Sequence, residues 1–229
     1  MTTVAQVKQV VQPLLQRHSD LALVGRYLIL KPVTHFVRGV FIDRSIDPKS
    51  FMPSVSVCLT FDGSDSDGIG WGNRLNYFHF EALDPKLIDI KENVYGFANW
   101  GVDRPETVEL MLLFIEAALR QLRDLITFEQ LVAFASKNEN NFHPFKIKYY
   151  ARLLMAVAAG DFDAAVEIIS QSAGLRRAMD AEHPSFCPAL FARDRLELSR
   201  FLQTMEATTI KNLKLEKFWE PTPFPLELP

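Results

Sequence analysis

Residues 54–61 alternate polar and apolar, Ser54-Val55-Ser56-Val57-Cys58-Leu59-Thr60-Phe61, as a strand with one buried face does. From Asp103 onward the apolar residues recur at every third or fourth position, the spacing of helices, and the alternation does not return. This switch predicts an α+β chain: an N-terminal, mainly antiparallel four-stranded sheet with flanking helices, followed by an all-α C-terminal half. The expected divisions are a sheet region at 1–102, a helical region packed on it at 103–218, and an extended proline-rich tail at 219–229.

The individual elements follow from the same spacing. Val4, Val7, Val10, Val11, Leu14 and Leu15 form one helical stripe, so a helix is expected over 3–18, with Pro13 kinking it or freeing the Gln9 carbonyl. Strands are expected at 21–31 and 33–44, split by Pro32, then at 54–61 and 74–81. The second has two apolar faces, as a central strand would. Asp84-Pro85 opens a short helical turn. Asp103 to Glu106 reads as a capping box for a helix to about 122, apolar nearly all round and therefore sandwiched. Thr127 to Gln130 repeats the box for a helix to about Ser136. A polar linker at 137–141 precedes a helix opened by His143-Pro144, with Ile147, Tyr150, Ala151, Leu154 and Ala158 on its buried face. Gly160 stops that helix and Asp161 caps the next, whose stripe is Phe162, Ala165, Val166 and Ile169. Further helices are expected at 188–205 and 206–218.

Composition narrows the class. Hydrophobic residues at 48% and charged residues at 23% allow a sizeable core, and 18 phenylalanines point to one rich in rings without polar tips. A net charge of −3 gives no long-range attraction to polyanions or anionic membranes. The arginines and lysines from Arg176 to Lys217 are interleaved with acids, so nucleic acid is not the expected partner. No apolar run approaches the ~20 residues of a membrane span. The first residues lack the basic start and apolar core of a secretory signal, so cytoplasmic residence is expected. Cys58 and Cys187 match no metal spacing, and no cofactor is expected.

Candidate chemistry is sparse. The loop 62–73 carries Asp62, Asp65 and Asp67, but in EF-hand register it puts Gly63 at the first ligand position and Arg74 at the last, so no metal is assigned. Its glycines precede no helix, which disfavours a phosphate cradle. Trp71 is the expected apolar anchor of a recognition loop there. A second expected surface is the outward sheet face, with Arg38, Ser56, Thr60 and Asn76 as a polar floor and Phe78 and Phe80 nearby. His35 and His79, with Asp43, form an alternative catalytic group.

Residues 150–169, with Ala158-Ala159-Gly160-Asp161-Phe162 at the bend, resemble one helix-turn-helix unit of a tetratricopeptide repeat. The resemblance covers one hairpin, and no 34-residue self-similarity accompanies it. It implies an antiparallel helix pair with small residues at the close contact. The tail is expected to drape over its own domain, with Trp219 and Phe224 as pegs. The leading expectation is a non-catalytic, cytoplasmic protein-interaction module of the immunity or accessory type. The alternative is a hydrolase or metal-assisted enzyme using the sheet-side histidines and aspartates.

Overall fold

The computed structural model describes residues 2–44, 47–63, 71–80, 85–88, 100–101, 103–137 and 149–228. Among these, 34–36, 59–63 and 149–228 form one compact unit, here the helical unit, and the rest form the sheet unit. The expected division at 103 therefore moves: the two helices after Asp103 belong with the sheet. The expected linker at 137–141 lies, beyond Lys137, outside the described residues, as do 143–148.

The sheet unit opens with α1 (Val4–Arg17), close to the expected limits. Thr3 caps it through the Gln6 amide N–H at 3.2 Å, and the Gln6 side chain accepts the Thr3 N–H at 2.7 Å. Val7, Val11 and Leu14 are its buried stripe, while Val4 is exposed. The expected single strand at 21–31 is instead a hairpin of β1 (Leu21–Val24) and β2 (Tyr27–Leu30). Gly25, at φ +60, takes the left-handed first position of its two-residue turn. The buried Arg26 guanidinium donates to Thr2 O and to Ile42 O, tying the start of the chain to the sheet.

β3 (Phe36–Arg44) lies between β2 and β4 (Ser50–Leu59), the central position its two apolar faces imply. β5 (Trp71–Arg74) pairs antiparallel with β4, as does the two-residue β6 (Trp100–Gly101). The sheet thus has six strands among the described residues, not four. The strand expected at 74–81 ends where it should begin. Residues Leu75–Tyr77 form a 3-10 turn that buries Leu75 and Phe78, three apart, on the same side. Phe78 then meets Phe80 and Phe134, and Phe114 meets Phe80 and Trp100, at centroid distances of 4.9–5.8 Å. Phe78, Phe114, Phe134 and Trp100 are core, in keeping with the phenylalanine-rich interior expected, and Phe80 is half-buried at its edge. Residues 85–88 form the expected helical turn.

α2 (Pro105–Arg123) and α3 (Phe128–Lys137) complete this unit. Arg104, not Asp103, occupies the α2 cap, with no side-chain bond, and Pro105 takes the first helical position. α2 is not apolar all round in its burial. Met111, Phe114, Ile115, Ala118 and Leu122 face inward, while Leu113 is 46% exposed beside Glu109 and Arg120. Glu116 takes Arg17 at 3.1 Å and His18 at 2.7 Å, and Asp20 takes Arg123 at 2.7 Å, joining α2 to α1 and its exit. α3 carries the expected box: Gln130 N–H donates to Thr127 Oγ1 at 3.3 Å, and Thr127 N–H to Gln130 Oε1 at 2.9 Å.

The helical unit contains α4 (Tyr149–Ala159), α5 (Phe162–Gln171), α6 (Ala173–Glu182), α7 (Phe186–Ala192) and α8 (Arg195–Asn212). α4 and α5 form the antiparallel pair expected around Gly160. α6 escaped the periodicity because only Met179 of its ten residues is buried. The expected break at 206 falls instead at Arg193, whose φ of +54 ends α7, and at Asp194, whose carboxylate accepts the Leu196 and Glu197 N–H groups at 3.1 Å. No helix among the described residues is long and apolar enough to cross a membrane.

Candidate functional site

The most developed polar constellation lies inside the helical unit, where the C-terminal tail is seated. α8 repeats an inward residue every fourth position: Leu198, Leu202, Glu206 and Ile210, all buried. Three of these are aliphatic, so Glu206 is a carboxylate in an apolar stripe and needs partners. Thr60 Oγ1 donates to Glu206 Oε1 at 2.5 Å, with the Thr34 carbonyl 3.1 Å from the same hydroxyl. His35 Nδ1 meets the same carboxylate oxygen at 3.1 Å. The Thr60 amide donates to the His35 carbonyl at 3.0 Å, holding these two short segments together.

The far side of the imidazole faces the tail. His35 Nε2 lies 3.2 Å from Thr222 Oγ1 and 3.4 Å from the Pro223 carbonyl. Phe224 stacks on the His35 ring at 4.1 Å and 18°, and stands edge-on to Phe61 at 5.2 Å and 87°. Phe224 and Leu226 are fully buried, whereas Trp219 is only half-buried. The tail therefore rests on its own chain as expected, but its pegs are Phe224 and Leu226.

Polar contacts fix the backbone of the seated segment. Arg195 Nε donates to the Leu226 carbonyl at 2.8 Å, and a second guanidinium nitrogen to the Leu228 carbonyl at 3.3 Å. Gln203 donates to Glu227 at 2.7 Å. The other Glu227 oxygen accepts the Phe224 N–H at 2.7 Å, closing a 3-10 turn over Pro225–Glu227. Gly160, at φ +77, ends α4 directly under the tail: a β-carbon there would lie 3.5 Å from Leu226 Cα. That distance is an ordinary contact, so it is the positive φ of the helix stop, and not the passage of the tail, that calls for glycine here. Nearby in this unit, burial and the charges of Asp62 and Glu182 push the Tyr150 hydroxyl up to about 12.

The residues singled out from sequence are dispersed. Ser56 and Thr60 are completely buried and Asn76 nearly so, so the exposed polar floor expected there is covered. Ser56 meets the Tyr27 hydroxyl, and burial raises that phenol well above its usual range. Arg38 donates to the carbonyls of Leu122, Arg123 and Leu125, at 3.4, 3.4 and 2.6 Å, closing the end of α2. Asp62 is half-buried at the end of a described stretch. Asp65 and Asp67 lie outside the described residues, and of Trp71 only its backbone place at the start of β5 is described. Of the alternative catalytic group, Asp43 and His79 are exposed in the sheet unit, while His35 belongs to the helical unit. Among the described residues no group of three or more His, Cys, Asp or Glu is arranged to hold a metal ion. Sequence reasoning missed Glu206 and Thr222. A carboxylate in the fourth-residue stripe of α8 was the available sign for the first.

Glu206, His35 and Thr222 stand in the order carboxylate, imidazole, hydroxyl, which in hydrolases makes a nucleophile. Here Thr222 sits between Pro221 and Pro223, neither of which has an N–H to offer a developing oxyanion. His35 Nε2 also faces the Pro223 carbonyl, and Phe224 covers the ring. Comparison of the chain with protein-family models, with curated proteins and with solved structures gives no match.

Proposed function

We propose that the protein is a non-catalytic interaction module, of the immunity or accessory type by analogy alone, that takes an extended peptide segment of another protein in the groove of its helical unit. One observation carries this reading: the tail is held as a ligand would be, with two fully buried side chains and two backbone carbonyls bound by one arginine. Recognition grooves combine apolar anchors with a few convergent polar groups in this way. Cytoplasmic action belongs to the same proposal.

The test uses the full chain with Phe224→Ala and Leu226→Ala together, which removes both buried side chains, and a fluorescein-labelled peptide of residues 219–229. Fluorescence anisotropy is expected to report saturable binding of the peptide to this variant. Absence of binding by a variant whose circular dichroism matches wild type would refute the proposal.

A further inference from the structure

We infer that the groove selects an aromatic–Pro–aliphatic–Glu sequence in its partner, and that the protein's own Phe224-Pro225-Leu226-Glu227 is an internal competitor for that partner. The inference rests on the peptide-groove reading and adds to it the partner's chemistry and its regulation.

Each position of the pattern has a reader or a structural duty. The aromatic ring enters between His35 and Phe61. The aliphatic side chain is buried beside Gly160, and its carbonyl meets Arg195. The glutamate meets Gln203 through one oxygen. The proline and the glutamate also act on the peptide itself. Pro225 opens the 3-10 turn, where a missing N–H costs nothing, and Glu227 caps that turn through the Phe224 N–H. A segment with this pattern shapes itself before docking, so less conformational freedom is lost on binding.

The internal copy has the advantage of attachment. A tethered segment competes at an effective concentration of about millimolar order, so an external peptide of equal quality is strongly disfavoured until the tail leaves. Partner binding then requires tail release, and a free partner segment and a seated tail exclude each other.

The experiment compares the labelled 219–229 peptide on wild-type chain and on the Phe224→Ala/Leu226→Ala chain. The wild-type chain is expected to bind about 100-fold or more weakly than the variant. On the variant, peptides altered at Phe224→Ala or Glu227→Gln are expected to bind about tenfold or more weakly, and a few-fold more weakly, than the parent. If the variant binds no peptide, the groove reading itself falls. If it binds parent and altered peptides equally, the pattern falls while the groove stands. If wild type and variant bind alike, the internal competitor falls. Hydrogen exchange on the wild-type chain covers the case of a variant that does not fold. Excess unlabelled parent peptide is expected to speed exchange at residues 224–228, and unchanged exchange at saturating peptide overturns tail release. Mass photometry of wild type tests a second copy as occupant: a dimer abolished by Phe224→Ala/Leu226→Ala would overturn an internal competitor.

Discussion

The imidazole of His35 and the ring of Phe224 lie face to face, 4.1 Å apart, across 189 positions of sequence, and the same imidazole turns its Nδ1 toward buried Glu206. A tail peg and an interior carboxylate therefore share one side chain. Phe224 is fully buried, so truncating it removes both transfer free energy and a stacked partner. Phe224→Ala is expected to destabilise the helical unit by about 3 kcal/mol or more. Urea unfolding followed by far-ultraviolet circular dichroism measures this, and a loss below about 1 kcal/mol would mean the tail is not held as described.

Asp20 gives the sheet unit a pH dependence of known sign. Hydrogen bonds from Arg123, at 2.7 and 3.2 Å, hold its carboxyl below the ordinary 3.8. A depressed folded pKa adds stability that is complete above the unfolded value and fades as pH falls through the folded one. The pair is partly solvated, so Asp20→Asn is expected to cost no more than about 1 kcal/mol near neutral pH. The gap to wild type should close as pH falls below the ordinary 3.8 and through the depressed folded value. Urea midpoints at several pH values test this, and a gap that widens with acid would contradict the pairing.

Cys58 and Cys187 are both buried thiols. Burial, reinforced by the neighbouring Asp180, pushes the Cys187 thiol up to about 11. Thiolate is the reactive form, so both its scarcity and the lack of access slow reaction. Native protein is expected to leave a disulfide-exchange reagent unconsumed at neutral pH, and denatured protein to consume two equivalents, one per cysteine. Rapid native labelling at Cys187 would show that α7 opens readily.

Local signals in the chain located most elements, and non-local ones were out of reach. The boxes Thr3/Gln6 and Thr127/Gln130 act within one turn, as does the stop at Gly160. The hairpin at Gly25 was hidden because apolar residues run through both of its strands. α6 has one buried residue and so almost no stripe to read. Residues 54–61 alternate as if one face were solvated, yet Ser56 on β4 and Thr60 just after it are buried, their hydroxyls satisfied by Tyr27 and Glu206. Alternation reports chemistry along one strand and is silent about what covers it. The site was legible only as an oddity, a glutamate in the stripe Leu198, Leu202, Ile210. Its partner His35 lies 171 residues away, beyond any periodicity.

Glu206 offers the sharpest test of that site, because the cost of changing it depends on what is changed with it. Its Oε1 receives Thr60 at 2.5 Å and faces His35 at 3.1 Å, all three groups being largely withdrawn from water. Glu206→Ala strands an imidazole and a hydroxyl in the interior and is expected to cost about 3–5 kcal/mol. Removing the imidazole as well takes away one stranded group: His35→Phe keeps a ring against Phe224, and Glu206→Leu continues the aliphatic stripe of α8. The Thr60 hydroxyl still has the Thr34 carbonyl at 3.1 Å. The joint His35→Phe/Glu206→Leu variant should therefore be more stable than the sum of its two single changes requires, by about 1–3 kcal/mol. A double-mutant cycle from urea unfolding measures that coupling. If the single costs add to within about 0.5 kcal/mol, the imidazole and the carboxylate do not act as a pair, and His35 serves the tail without help from Glu206.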